Sequence, residues 1–150
     1  MVCYSFITQG KIKAPPEHVW AAIEDIEAMP GWWKAIRCAQ IIGQDKKLKV
    51  GRQIRFSVKG LLGNLSFTVK VTEFEALRRI KLQSTGDLKG YGLFTLEEEG
   101  GFSNLTYRWE VSTTGKLMNF CGRVLRPLLV YNHDRVMKKG FKNLKVILEV

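Results

Sequence analysis

Histidine and cysteine are scarce in this chain. The two histidines, His18 and His133, have no metal-ligand spacing to each other or to any of the three cysteines, Cys3, Cys38 and Cys121. No metal site is legible, and no cofactor is expected. The cysteines are odd in number, far apart and without a CxxC pair, so reduced thiols in a cytoplasmic protein are the simplest expectation. Long apolar runs are also missing, and none approaches the roughly 18 consecutive apolar residues of a membrane span. The opening Met-Val-Cys-Tyr-Ser-Phe-Ile-Thr does not resemble a signal peptide, and the ends carry no myristoylation or prenylation signal. Nucleophile elbow, P-loop, HExxH and Rossmann fingerprints are absent as well.

Acidic residues are the last shortage. There are 14 Asp and Glu against 24 Lys and Arg, a net charge of +10. Such a surplus keeps a protein soluble and attracts polyanions. The surplus is uneven: Lys116, Arg123, Arg126, Arg135, Lys138, Lys139, Lys142 and Lys145 face only Asp134 and Glu149 over the last stretch.

What is present is a single-domain length of 150 residues with no internal repeat or linker. Residues 2 to 13 alternate, with Val2, Tyr4, Phe6 and Ile12 on one face, and predict a first strand. Ala14-Pro15-Pro16-Glu17 opens a helix that Val19, Trp20, Ile23 and Ile26 carry at helical spacing to about Glu27. Met29-Pro30-Gly31-Trp32-Trp33 breaks it, and a second short helix is expected from Trp32 to Ile36. Strands follow at Ala39–Gln44, at 52–59 and through Leu65, Phe67, Val69 and Val71, with a turn at Leu61-Leu62-Gly63-Asn64 between the last two. More are expected around Ile80 and Leu82, over Lys89–Glu98, and through Leu105, Tyr107, Trp109 and Val111. From about Lys116 the period changes to 3.6. Cys121, Leu125, Leu129, Val136, Gly140, Leu144 and Ile147 form one stripe, and Pro127 should start or kink the helix. The fold class is therefore α+β: an antiparallel meander with a long C-terminal helix covering one face.

The expected inner face carries Phe56, Val58, Phe67, Val69, Tyr91, Leu93, Tyr107 and Trp109. Such aromatic richness suits ordinary core packing and a ligand cavity about equally; the tyrosines and tryptophan each bring a polar group that needs a partner. On the helix, Leu125, Leu129 and Val136 face the same space. Asn132 interrupts their stripe with His133 beside it, either as a polar anchor for a bound molecule or as a local structural hydrogen bond.

The segment from Ala14 to Ile36 resembles the opening of the polyketide cyclase/dehydrase and lipid transport family. Pro15-Pro16 with Val19-Trp20, Asp25, and Pro30 with Trp32-Trp33 carry the likeness. That family belongs to the START-related superfamily, with the helix-grip fold of the birch pollen allergen. The resemblance implies a curved sheet of about seven strands wrapped around the long helix. It also implies two short helices in a V bent at Pro30-Gly31, with one of Trp32 and Trp33 in the core and the other at the pocket. Members bind lipids, polyketides, hormones or quinones, and some are enzymes. The resemblance thus implies a hydrophobic small molecule or lipid as partner.

A cyclase or dehydratase would need an acid or base at the cavity. The candidates are His133, Glu110, Arg108, Tyr107 and Tyr91, although Arg108 and Glu110 alternate away from Tyr107 and Trp109. Arg135, Lys138, Lys142 and Lys145 share a helix face opposite the apolar stripe, a solvated face or a transient contact with an anionic membrane. Nucleic acid is disfavoured, because the aromatics follow the inward pattern instead of interleaving with the basic residues.

Overall fold

The computed structural model describes residues 2–60 and 63–149, apart from the side chains of Val2 and Leu117. The expected turn residues Leu61 and Leu62 lie outside the described residues; Gly60 and Gly63 on either side pair with each other. The described residues form a 7-stranded sheet in the order β1-β7-β6-β5-β4-β3-β2, antiparallel throughout. The strands are β1 (Val2–Ile12), β2 (Ile36–Ile41), β3 (Gln53–Gly60), β4 (Gly63–Glu75), β5 (Arg79–Gly86), β6 (Leu88–Glu99) and β7 (Phe102–Thr113).

β1 pairs with the last strand, so the chain must cross the full width of the sheet before β2 begins. Helix α1 (Pro16–Glu24), a 3-10 turn at Ile26–Ala28 and helix α2 (Met29–Trp32) make that crossing. Pro16 takes the first helical position, where its missing N–H costs nothing, and Glu17 complements the positive end of the helix. Val19, Trp20 and Ile23 form the buried side of α1.

The sequence places these boundaries imperfectly. α1 ends at Glu24 instead of Glu27, because Asp25 leaves helical geometry at φ −79° and ψ 67°. The bend of the V is therefore at Asp25, not at Pro30-Gly31. Proline at the second position of a helix loses no intrahelical bond, so Pro30 sits inside α2 without breaking it. The expected helix over Trp32–Ile36 is corrected likewise: the chain turns out of α2 at Trp33 and Ile36 already starts β2, ahead of the expected Ala39.

Two register shifts, at Ile36/Cys38 and Val71/Glu73, add local twist. The sheet curls into a half-barrel. Helix α3 (Lys116–Leu148) packs against β1 and α2. It is broken as the proline requires: Leu125 is non-helical at φ −111° and ψ 20°, two residues ahead of Pro127. The expected stripe on α3 is only partly right. Gly140 and Leu144 are buried, but Ile147 is 50% exposed, and Met137 and Phe141 are buried in its place.

Apolar burial falls into two clusters. The larger joins α1, α2 and the second half of α3 to the sheet through Ile12, Val19, Ile23, Ile54 and Leu144, none more than 1% exposed. Each such side chain contributes about 1.5–3 kcal/mol of transfer free energy. The smaller holds Tyr4, Phe6, Leu88, Trp109 and Val111, with Leu129 and Val130 of α3 packed against it.

Candidate functional site

A cavity opens between the curled sheet and the middle of α3. Its interior offers about 200 Å³ to the centre of a water-sized sphere. A single water needs roughly 10–15 Å³ on that measure, so this is a chamber and not a packing defect. Its wall is apolar and largely aromatic. Phe56 of β3 stacks on Phe67 of β4 with centroids 5.5 Å apart, and Phe67 meets Trp109 of β7 at 5.7 Å. Trp109 is followed by Tyr107 at 5.9 Å, and Tyr107 stacks on Phe94 of β6 at 4.2 Å. Trp33 closes the row from the helical side, edge-on to Tyr107 at 6.2 Å. Gly92 makes room for this wall, since a Cβ there would lie 2.9 Å from Trp109 Cε3 and 3.0 Å from Tyr107 Oη.

α3 supplies the opposite wall with Leu129, Asn132, His133, Val136 and Met137. The His133 ring lies flat on Phe6, with centroids 3.7 Å apart and planes 17° apart. Burial lowers the pKa of His133 from 6.5 to about 4, against the opposing pull of Asp134, so the imidazole is neutral near pH 7. Burial also raises the pKa of Tyr107, which keeps its phenol protonated. Tyr4 is shifted up by burial too, tempered by Arg126, whose guanidinium lies 4.9 Å from the ring centroid. Three polar atoms of lining residues are buried with no hydrogen-bond partner among the described residues: Tyr4 Oη, Trp33 Nε1 and His133 Nδ1. An unmet buried donor or acceptor costs about 1–3 kcal/mol. No described Asp or Glu lines the cavity. Lys59 does line it and is exposed, which marks one edge at the end of β3.

Of the residues singled out from sequence, Trp33, Phe56, Val58, Phe67, Val69, Tyr107 and Trp109 line this space, with Leu129, Asn132, His133 and Val136. Four do not. Trp32 is buried in the core, stacked on Trp33 at 5.4 Å, and its carbonyl accepts a hydrogen bond from Asn143 Nδ2 at 3.0 Å. Leu125 is the kink residue of α3 and is outside the lining. Tyr91 and Leu93 are corrected outright: they sit on the outer face of β6. There Tyr91 pairs with Glu110, whose hydrogen bond raises the phenol pKa, and Lys81 Nζ lies 5.0 Å from its ring centroid. The inward positions of β6 are Leu88, Gly90, Gly92, Phe94 and Leu96, and glycine leaves no hydrophobic signal from which to read parity. Arg108 is exposed, and Glu110 accepts a hydrogen bond from Ser5 on the same outer surface.

Tyr4, Phe6, Phe94 and Met118 are lining residues that the sequence did not single out as a site. The alternation of β1 does put Tyr4 and Phe6 on one face; what the sequence lacks is the pairing of β1 with β7. Among the described residues no cluster could hold a metal ion, and no helix is long and apolar enough to cross a membrane.

The sequence matches the polyketide cyclase/dehydrase and lipid transport family over residues 6–149. The chain belongs to that family. Solved structures give the same architecture. A protein of Thermus thermophilus is 16% identical, covers 96% of this chain and 98% of its own, and superposes with a TM-score of 0.78. A START superfamily protein of Mycobacterium smegmatis is 18% identical, with 97% of both chains covered and a TM-score of 0.75. Ara h 8.0201 is 13% identical, with 95% and 98% covered and a TM-score of 0.60. No curated protein matches the chain. At such identities the likeness establishes the helix-grip fold, and the family fits a hydrophobic ligand-binding or cyclase-like domain.

Proposed function

We propose that this protein binds one hydrophobic small molecule or lipid between the curled sheet and α3, for transport or sequestration. The observation that carries this reading is an aromatic-walled chamber of about 200 Å³ whose lining includes two buried polar atoms without partners among the described residues, Tyr4 Oη and His133 Nδ1. A polar group on a bound molecule would give each of these atoms the partner it lacks. The ligand has an apolar body for the Phe56–Phe67–Trp109 wall and a polar group that reaches His133 or Tyr4. Neutral His133 offers one donor and one acceptor, Tyr4 a hydroxyl, so a ligand hydroxyl or carbonyl suits them better than an ionised group.

Titration with a fluorescent apolar dye, followed by energy transfer from tryptophan, tests the reading. Trp33 and Trp109 line the chamber and report on its contents. Saturation at one dye per chain is expected. Val136→Trp, which fills the chamber, is expected to weaken binding by about tenfold or more in a protein that still unfolds cooperatively. No dye uptake by the wild type, or equal uptake by the variant, contradicts the reading.

A second reading, a cyclase or dehydratase acting in the same chamber, draws on the unpaired Nδ1 of His133. A neutral buried imidazole with a pKa of about 4 is a weak base, and no carboxylate among the described residues is beside it in the lining to orient it. Full turnover by His133→Ala on a converted substrate would end that assignment.

A further inference from the structure

The outer face of α3 changes character along its length. In the first half, Phe120, Val124, Leu128 and Tyr131 recur at helical spacing and are 65%, 64%, 55% and 67% exposed. These are the side chains a soluble helix normally turns inward, and here they point away from the chamber. The same face continues with Arg135, Lys138, Lys139 and Lys142, all exposed. The exposed surface of α3 thus carries large apolar side chains on both sides of the break at Leu125 and cationic ones beyond Tyr131. Asp134 is the single exposed acid within residues 116–148.

The apolar half is also the chamber's wall. Met118 and Leu129, on the inner side of the same stretch, line the cavity. The kink at Leu125 separates residues 116–124 from the rest of α3. We infer that this face docks on an anionic lipid bilayer, with Phe120, Val124, Leu128 and Tyr131 entering the interface and Arg135, Lys138, Lys139 and Lys142 resting on the headgroups. Charge complementarity selects the occupant. A neutral apolar partner would satisfy the first half only, and a polyanion without an apolar phase only the second. The basic residues noted in the sequence are therefore half of the surface. The purpose of the contact, passing an apolar molecule between bilayer and chamber, rests on the binding reading above; the contact itself does not.

Vesicle co-sedimentation tests it with the full chain. The lipids are phosphatidylcholine alone, or phosphatidylcholine with about a third phosphatidylserine, at low and high salt. Binding is expected only with phosphatidylserine, weakening as salt rises. Phe120→Asp combined with Leu128→Asp is expected to lower the partition coefficient by more than about tenfold. Lys138→Glu and Lys142→Glu each lower it by roughly fivefold or more. All four side chains are exposed, so melting temperature and dye uptake in the chamber stay at wild-type values. A failure of the chamber reading therefore shows in the dye titration and leaves the vesicle result standing. Binding indifferent to phosphatidylserine, or undiminished in Phe120→Asp/Leu128→Asp, overturns the inference. So does a wild-type dimer that ignores vesicles and dissociates in that variant, which would give the face to a second copy of the chain.

Discussion

The two halves of α3 are one helix with different inner faces. Beyond Met137 it is sealed: Phe141 and Leu144 are at most 4% exposed. Gly140 lets the backbone press on Trp33, whose indole occupies the space a Cβ would take. Two further bonds pin this half, Asn143 to the carbonyl of Trp32 and the Lys13 backbone N–H to Glu149 Oε1 at 2.7 Å. Before Met137 the helix covers a chamber on its inner side and presents apolar side chains outside. Close packing is concentrated in one half and open volume in the other.

The sharpest way to break this contrast is truncation on each side. Leu144→Ala is expected to cost about 3–4 kcal/mol in urea unfolding, because it opens a void in close packing. Val136→Ala, which only enlarges an existing chamber, is expected to cost about 1 kcal/mol or less. Equal losses would dissolve the distinction.

Acid sharpens it next. The pKa of His133 is about 4 when folded against 6.5 unfolded. Between those values the unfolded chain takes up a proton that the folded chain refuses. Stability is therefore full above pH 6.5 and falls as the pH drops toward 4, by up to about 3 kcal/mol. His133→Leu is expected to remove this part of the pH dependence, seen as a smaller difference between unfolding curves at pH 7 and pH 4.5.

Gly140→Ala is expected to destabilise by about 2 kcal/mol by thermal melting. Alanine gains roughly 1 kcal/mol in helix propensity, but its methyl group meets the Trp33 indole. A neutral or stabilising result would mean that the sealed half is looser than its burial implies. The smallest effect is expected outside both halves. Tyr91→Phe on the outer face of β6 should change stability by less than about 0.5 kcal/mol and leave dye uptake untouched.

The sequence was most readable where side chains alternate without interruption. β1, β3 and β4 follow their patterns, and the inward Phe56, Phe67 and Val69 were legible because every second residue is polar. β6 was misread because two of its inward positions are glycine, so the inward rhythm of Leu88, Phe94 and Leu96 is interrupted where Tyr91 and Leu93 fall. The Asp25 bend was hidden because Pro30-Gly31 is a stronger local turn signal, although the first turn of a helix accommodates the proline. On α3 a single stripe could not describe a kinked helix whose halves bury different arcs. Gly140 and Leu144 fit it, whereas Phe120, Val124 and Leu128 emerge as a second apolar line facing out. The cavity depends on β1 pairing with β7 and on the curl between β3 and β6, and these long-range facts leave no trace in local spacing.

The proposed apolar ligand of the chamber should be isolable with the protein. Native mass spectrometry of the freshly purified protein, followed by denaturation and analysis of what is released, would show it. A stoichiometric adduct of apolar character with a hydroxyl or carbonyl group is expected, and it should be lost in Val136→Trp. A wild-type protein that carries no such adduct, and takes none up from a lipid extract, would contradict the proposal.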